Sequence, residues 1–230
     1  MDNEHYVFIL NNQEVLIQKN PYDLSFIKKM PVQINKSLIF NQPYLIQSKI
    51  QIKNLEMFLN YLNNANVDLS EMRSNDFFEY YLLKTEFNVD DINEDQNYTE
   101  ILNESIINNI NSTSSFGRIV CEDHISANLD YYINSYGDLL RKIPITSLYN
   151  IFVNPKRRLV YHDDAYQFII NSLIDGNNNN KKSFCILLST LDGTKMSADL
   201  LKDSFEKQNE RFNYAPKIAP SFFDTIDKKI

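Results

Sequence analysis

The stretch that decides the fold is Lys53-Asn54-Leu55-Glu56-Met57-Phe58-Leu59-Asn60-Tyr61-Leu62. Its large apolar side chains recur three, four and seven residues apart, at Leu55, Phe58, Leu59 and Leu62, which is the spacing of one face of an α-helix. A helix with a single apolar face buries that face against another element. We therefore predict an amphipathic helix that packs on a core formed with the neighbouring segments.

The residues before this helix have the composition of strands. Residues 6–10 and 14–18 are two β-rich runs, and the asparagines between them tolerate the left-handed conformation of a tight hairpin. A short helix is predicted to begin at Pro21 and to end before Pro31, and a further strand is predicted over residues 44–50. This order of elements predicts a small sheet beside the amphipathic helix.

The residues after this helix are predicted to be almost entirely helical. A second amphipathic helix carries Phe77, Phe78, Tyr81 and Leu82, with Ser74 or Asn75 as its N-cap. In the second half, Ile125, Leu129, Tyr132 and Ile133 share one helical face, with Glu122 and Asp123 in the first turn. Shorter helices end before Pro144 and Pro155, and another is capped by Asp163 or Asp164 and ends near Gly176.

A change of composition separates the two halves. Residues 90–115 hold an acidic run, an isoleucine-rich segment and then a serine-rich run. We place a domain boundary in this stretch and expect a first domain at residues 1–95, a second at residues 96–215 and a C-terminal tail at residues 216–230. The predicted fold class is α+β, with a small sheet capped by helices followed by an all-α region.

This arrangement, with the helix at residues 53–62 after a hairpin and a strand, resembles a BTB domain, in which a small sheet is capped by helices. The second half resembles a BACK-type helical extension, chiefly in Asn128-Leu129-Asp130-Tyr131-Tyr132-Ile133, in residues 139–152 and in His162-Asp163-Asp164-Ala165-Tyr166-Gln167-Phe168-Ile169. The resemblance covers residues 6–212. It implies a BTB-like domain followed by a BACK-like helical domain.

The resemblance to BTB-BACK proteins also implies a function. It implies a non-enzymatic module for protein-protein interaction, an adaptor or scaffold whose partner is another protein; weak self-association is an alternative. A second alternative is a substrate adaptor of a cullin-type ubiquitin ligase. The segment matching the family's cullin contact, residues 25–33, offers Phe26 and Met30 but has Lys28 and Lys29 where the family presents an acid. We therefore expect no cullin binding.

The overall charge limits the kinds of partner that we expect, and the cysteine count limits the cellular compartments that we expect. A net charge of -7 opposes attraction to nucleic acid or anionic lipid, since both require a surplus of Lys and Arg. Neither a nucleic acid nor a membrane is expected as a partner. The two cysteines, Cys121 and Cys185, are too few for a secreted disulfide scaffold, and no export signal is visible. We expect reduced thiols and a cytoplasmic location, with the nucleus as the alternative.

The motif Asp192-Gly193-Thr194-Lys195-Met196-Ser197 resembles the lysine-methionine-serine loop of class I aminoacyl-tRNA synthetases, in which the lysine steadies ATP phosphates. It leaves open a nucleotide-dependent enzyme as the third functional alternative. A second phosphate-binding segment and a Gly-rich loop are both missing from the sequence. We expect instead a turn at Asp192-Gly193, a stapling Met196 and a helix cap at Ser197.

Four other groups of residues have side chains suited to chemistry. His162-Asp163-Asp164 offers metal ligands, Cys121 with Cys185 offers thiols, Asp90, Asp91, Glu94 and Asp95 form an acidic cluster, and Lys156-Arg157-Arg158 is the one notable basic cluster. None has the spacing of a metal, nucleophile, calcium or nucleic-acid site. We therefore expect no catalytic, cofactor-binding or metal-binding residues and no cofactor, and the sequence does not locate the partner-binding residues.

Overall fold

The computed structural model describes residues 5–18, 42–62, 72–89, 96–175, 186–200 and 202. Within these residues, the elements with both ends described are three short strands, seven α-helices and a 3-10 turn, and residues 186–188 and 198–200 are helical as well. This mixture confirms the α+β class. The elements are β1 His5–Leu10, β2 Gln13–Gln18, β3 Tyr44–Leu45, α1 Ile52–Leu62, α2 Ser74–Glu86, α3 Gln96–Asn109, α4 Ser115–Ala127, α5 Leu129–Leu140, α6 Ile145–Val153, α7 His162–Asp175 and the 3-10 turn Gly193–Lys195. The short helix predicted between Pro21 and Pro31 lies outside the described residues. Across the described ranges, no helix combines the length and the apolar character needed to cross a membrane.

The chain divides into two compact units, Met1–Cys121 and Glu122–Ile230. The division falls inside α4, whereas the sequence placed the boundary after residue 95. The structure assigns α3 to the first unit, whereas the sequence analysis assigned it to the second domain.

Helix α3 packs on α2, within the first unit. The hydroxyl of Ser105 donates a hydrogen bond of 3.2 Å to the carbonyl of Ser74, at the start of α2. The rings of Phe77 and Tyr98 stack with centroids 5.5 Å apart. Helix α3, which carries the isoleucine-rich segment that the sequence assigned to the second domain, therefore belongs to the first unit.

The hairpin predicted at the N-terminal end is confirmed. Strand β1 pairs antiparallel with β2, from His5 opposite Gln18 to Leu10 opposite Gln13. The turn consists of Asn11 and Asn12, whose φ angles of 52° and 65° lie in the left-handed region. Two consecutive positive φ angles are what a two-residue type I′ turn requires, and asparagine adopts them more readily than most residues.

Strand β3 is shorter than the strand predicted over residues 44–50. Only Tyr44 and Leu45 pair with β1, in parallel, so that the sheet has the order β2-β1-β3. Beyond Ile46, the main-chain N–H groups of Gln47 and Ser48 donate to the carboxylate of Glu86, at 2.7 Å and 3.1 Å. The strand ends because a side chain from α2 takes the hydrogen bonds that a longer ladder would use.

The core of the first unit lies between the sheet and helices α1 and α2. Its centre is Phe87, which is fully buried and contacts the rings of Phe8, Tyr44 and Phe58 at centroid distances of 5.2 to 6.3 Å. The predicted apolar face of α1 is confirmed, since all four of its residues are buried there. The core cluster comprises Phe8, Leu10, Val15, Ile46, Ile50, Leu55, Phe58, Leu59, Leu62, Tyr80, Leu83 and Phe87.

The described secondary-structure elements of the second unit are all helical, but its first helices differ from the prediction. The prediction of a single helix that starts near Glu122 and continues through Ile133 is wrong. Helix α4 already begins at Ser115, where the hydroxyl of Ser114 accepts a hydrogen bond from the N–H of Gly117, and it ends at Ala127. Asn128 has φ −130° and ψ 32°, which breaks the helical path before α5 begins.

Hydrogen bonds and ring contacts join α4, α6 and α7 in the second unit. The hydroxyl of Ser126, on α4, donates to the carbonyl of Ile151, on α6, at 2.7 Å. The main-chain N–H of Arg158 donates back to the carbonyl of Ser126 at 2.9 Å. The rings of Phe152 and Phe168 stack with centroids 6.4 Å apart, so that α6 and α7 share one apolar core.

The Glu86→Ala substitution is expected to lower the free energy of unfolding by about 2 to 4 kcal/mol, because it leaves the buried donors of Ser48 and the part-buried N–H of Gln47 without an acceptor. Urea denaturation measures this loss. The control is Glu56→Ala on the exposed side of α1, expected to change stability by less than about 0.5 kcal/mol. A loss below about 1 kcal/mol for Glu86→Ala would show that water replaces the carboxylate without penalty.

Candidate functional site

Two motifs that the sequence presented separately lie together in the second unit. The main-chain N–H of Asp192 donates to Nδ1 of His162 at 3.1 Å. The main-chain N–H of Ser197 donates to a carboxylate oxygen of Asp163 at 2.9 Å. These two bonds fasten the loop at residues 192–197 to the first turn of α7, and we call this arrangement the α7 latch.

The loop of the α7 latch is also closed by its own hydrogen bonds. One carboxylate oxygen of Asp192 accepts from the main-chain N–H of Thr194 at 3.0 Å and from its hydroxyl at 2.6 Å. These bonds cap the 3-10 turn and are the main reason why the pKa of Asp192 lies below its usual value. Met196 is buried, as the predicted staple requires. The loop is therefore a capped turn in which the polar groups of Asp192 and Thr194 satisfy each other.

Lys195, the residue that would contact phosphate in a synthetase-like loop, has a carboxylate for a neighbour. Its Nζ lies 3.9 Å from Asp192, and both side chains are largely exposed, with 59% and 44% of their surface accessible. An exposed pair at this distance contributes little to stability. Asp163 and Asp192 place two negative charges at this loop, which opposes the binding of a polyphosphate.

His162 is almost completely buried at the start of α7. Burial lowers its pKa below the usual 6.5, and the positive charge of Lys195 lowers it further. The side chain is therefore neutral at pH 7, and its Nδ1 lone pair accepts the N–H of Asp192 while Nε2 carries the proton. With its one acceptor nitrogen occupied, this imidazole is arranged as a structural acceptor and not as a general base or a metal ligand. Asp163 and Asp164 lie in the first turn of α7 and not at its cap.

The basic cluster at residues 156–158 serves the fold of the second unit. The guanidinium of Arg157 donates to the carbonyls of Phe152 and Thr190, at 2.6 Å and 3.1 Å, and burial lowers its pKa. Lys156 forms an ion pair of 2.6 Å with Asp123. Two of the three basic side chains are thus engaged in contacts within the unit.

The remaining predicted groups give no assembled site. Cys121 is fully buried in α4, while Cys185, the acids of residues 90–95 and the segment at residues 25–33 lie outside the described residues. Among the residues that the structure describes, no three His, Cys, Asp or Glu side chains are grouped so that they could hold a metal ion.

A feature that the sequence did not reveal is a group of exposed apolar side chains around Asp130. The carboxylate of Asp130 accepts the main-chain N–H groups of Val160 and Tyr161, at 2.8 Å and 3.1 Å, which holds this loop beside the start of α5. Tyr131 follows Asp130 directly. The side chains of Tyr131, Val160 and Tyr161 are 44%, 68% and 60% exposed, and we call these three residues the Tyr161 patch.

The aromatic ring of Tyr131 in this patch is held by its neighbours. It contacts the rings of Tyr132 and Tyr136 edge-to-face, with centroids 6.1 Å and 5.8 Å apart. The patch is therefore built on a fixed backbone with at least one oriented ring. Its sequence signal is weak, because Val160 and Tyr161 lie in a loop, where no helical or strand period marks exposed positions.

No protein-family model and no curated protein matches this chain.

The lowered pKa of His162 predicts how stability depends on pH. The unfolded chain binds a proton near pH 6.5 and the folded chain only at lower pH, so the free energy of unfolding is expected to fall as pH drops from about 6.5 toward the folded-state pKa. Urea denaturation at several values between pH 7.5 and pH 5.5 measures this slope. In His162→Gln, whose amide does not titrate, the slope is expected to be smaller. Equal slopes in both proteins would contradict this origin.

Proposed function

We propose that this chain is a non-enzymatic protein-interaction module, an adaptor or scaffold, that binds a protein partner through the Tyr161 patch. The observation that carries the proposal is the presence of three exposed apolar side chains on a loop whose backbone is fixed by Asp130. Aromatic side chains, tyrosine above all, are enriched where protein partners make their strongest contacts.

The fixed backbone of the patch favours binding. A loop that is ordered before the partner arrives loses less conformational entropy on association than a loop that must be ordered by it. Tyr131 and Tyr161 each offer a large apolar surface together with a hydroxyl, which suits an interface that is part dry and part hydrated. Asp130 itself is occupied by two main-chain donors, so its charge is partly compensated within the chain.

The architecture is compatible with the BTB-BACK assignment, which we include in the proposal. The first unit has a small three-stranded sheet with helices packed on it, and the described secondary-structure elements of the second unit are helical. This is the order of parts that the resemblance implies. The alternative role as a cullin-type adaptor also belongs to the proposal, and the absence of an acid in residues 25–33 weighs against that role.

The test of the proposal compares two pairs of exposed residues of the same type. The Val160→Ser/Tyr161→Ser variant is expected to bind a partner, purified from host lysate by affinity to the full chain, at least about tenfold more weakly than the wild type does. The control is Tyr149→Ser/Val153→Ser on α6, where the side chains are 42% and 45% exposed. Both variants are expected to unfold within about 0.5 kcal/mol of the wild type.

Titration of the purified partner by calorimetry gives the dissociation constants for this comparison. If the Val160→Ser/Tyr161→Ser variant binds like the wild type, or if only the α6 control loses affinity, the Tyr161 patch is not the binding surface.

The alternative of a nucleotide-dependent enzyme predicts a role for Lys195 that the interaction module does not. We expect Mg-ATP to leave the thermal unfolding midpoint unchanged in the wild type and in Lys195→Ala, because a ligand raises the midpoint only if it binds the folded state. Differential scanning fluorimetry measures this, with Lys142→Ala, an exposed lysine of the same unit, as the control. A rise of the wild-type midpoint with ATP that disappears only in Lys195→Ala would favour the enzyme.

A further inference from the structure

Strand β2 forms one edge of the sheet in the first unit. In the strand order β2-β1-β3 it has a neighbour, β1, on one side only among the strands that the structure describes. Its six residues pair with β1 in continuous register, without a bulge. The edge of a sheet presents main-chain donors and acceptors to a further strand. The β2 edge therefore has the chemistry of a strand-addition surface.

The hydrogen bonds of β1 show which main-chain groups of β2 point to this edge. The carbonyl of Ile9 accepts the N–H of Ile46 at 2.9 Å, so the main chain of Ile9 faces β3 and not β2. Across the hairpin, Ile9 lies opposite Glu14. Because bonded and non-bonded pairs alternate along antiparallel strands, the main-chain groups of Glu14, Leu16 and Gln18 point away from β1.

This edge carries an exposed apolar side chain. Leu16 lies opposite Val7 on the outer face of the sheet and is 56% exposed, whereas Val15 is buried in the core. Native edge strands are usually protected by lysine, proline or a bulge. Residues 13–18 contain neither lysine nor proline, and Glu14 is their only charged residue. The edge is thus open to a strand that brings an apolar side chain beside Leu16.

We infer that a second copy of this chain binds this edge, through antiparallel pairing of the two β2 strands about a two-fold axis at Leu16. In this register, Leu16 lies opposite Leu16 of the second copy, and position 14 lies opposite position 18. The outer face then carries an unbroken apolar row across the joined sheet, made of Val7 and Leu16 of one copy followed by Leu16 and Val7 of the other. Side chains directly opposite each other are the contacts that stabilise antiparallel strands.

The charge of Glu14 selects this register. With the axis at Leu16, the two Glu14 residues lie at opposite ends of the pairing, four positions or about 14 Å apart along the strand. Repulsion over this distance is largely screened, since the screening length is about 8 Å at physiological ionic strength. An axis one position nearer the turn would place Glu14 opposite Leu16, and an axis two positions nearer would place the two carboxylates opposite each other, which is unfavourable.

The same geometry predicts a closed dimer and not a filament. A two-fold axis uses the same edge on both copies, so neither copy keeps its β2 edge for a third. The opposite edge, β3, consists only of Tyr44 and Leu45, and the N–H groups of Gln47 and Ser48 beyond it are bonded to Glu86. A single six-residue strand forms a smaller contact than the roughly 800 Å² per partner of a standard interface, so we expect weak, reversible association.

The dimer extends the proposed function without depending on it. The β2 edge belongs to the first unit and the Tyr161 patch to the second. Two associated copies carry two Tyr161 patches, and a partner with two matching sites would bind both more tightly than one patch alone allows. Weak self-association, which the sequence left as an alternative, thereby acquires a defined surface.

Sedimentation velocity of the full 230-residue chain, at concentrations from about 1 μM to about 1 mM, tests for the dimer. We expect the average mass to rise toward that of two chains. Leu16→Lys places two ammonium groups opposite each other and is expected to raise the dimer dissociation constant at least about tenfold. The matched control is Leu45→Lys, since Leu45 is 58% exposed in the same sheet, and it is expected to stay within about twofold.

Charge reversal tests the register itself. Leu16→Glu alone is also expected to be monomeric, because two carboxylates then lie opposite each other. An equimolar mixture of Leu16→Lys and Leu16→Glu is expected to form a heterodimer, since opposite charges directly across antiparallel strands attract. Native mass spectrometry identifies the heterodimer by its mass. Because both variants must be folded to associate, the mixture also shows that neither is monomeric through misfolding.

Amide hydrogen exchange reports on the main chain at the edge. The N–H of Leu16 is expected to exchange more slowly as the protein concentration rises. The N–H of Val15, which faces β1, is expected to exchange at a rate that does not depend on concentration.

Four results would overturn the inference: a chain that stays monomeric up to about 1 mM, a dimer that Leu16→Lys leaves intact, a dimer that Leu45→Lys weakens equally, or a charge-reversed mixture without heterodimer. A monomer whose Leu16 N–H is protected only when a partner protein is added would assign the edge to a foreign strand instead. Each of these results leaves the Tyr161 patch untouched, because Val160→Ser/Tyr161→Ser is compared on chains with an intact β2 edge.

Discussion

The buried carboxylate of Glu86 is the interaction on which the first unit depends. It accepts hydrogen bonds from the main chain of Gln47 and Ser48, from the hydroxyl of Ser48 at 2.7 Å and from the hydroxyl of Tyr44 at 3.3 Å. A charge removed from water is tolerated only when donors surround it in this way. The same arrangement acts on its neighbour, because burial, and then the charge of Glu86 and its hydrogen bond, raise the pKa of Tyr44 to about 12. One side chain thereby ends β3 and directs the chain into α1 beside the core ring of Phe87.

The second unit uses the same kind of contact at several places. Asp130 accepts two main-chain N–H groups about thirty residues away in sequence, Asp163 accepts one from the loop of the α7 latch, and Asp123 binds the side chains of Asn154 and Lys156. Hydrogen bonds to a charged acceptor are stronger than those between neutral groups. The chain has only four glycines, and in the second unit carboxylates fix the paths of several loops. Several of the acids behind the net charge of -7 therefore have a structural role.

Whether the sequence predicts a feature of this molecule depends on how far apart in the chain the interacting residues lie. The face of α1, the hairpin and the helix ends before Pro144 and Pro155 depend on residues within a few positions, so periodicity and local preferences predict them. The end of β3 and the unit to which α3 belongs depend on partners about thirty residues or more away, and no local pattern records them. The break at Asn128 was missed because the apolar positions on either side of it happen to keep helical spacing. The Tyr161 patch was missed because exposure in a loop depends on what covers it.

The α7 latch shows that residues of catalytic types can lie close together without forming an active site. What a catalytic site also requires is that their donor and acceptor atoms are not already bonded within the protein. A histidine, two aspartates and a lysine come together around residues 162–163 and 192–197, which matches the composition of many active sites. Yet each of these acceptors already has a donor. A main-chain N–H is bonded to the acceptor nitrogen of His162, and another is bonded to a carboxylate oxygen of Asp163. The main-chain N–H of Thr194 is bonded to the carboxylate of Asp192. A general base needs a free lone pair toward its substrate. The Tyr161 patch presents the opposite case, since the main-chain N–H groups of Val160 and Tyr161 are bonded to Asp130 while the apolar side chains of the patch remain exposed. An exposed apolar surface on a rigid frame is suited to binding another protein, and for this reason we place the function there and not at the latch.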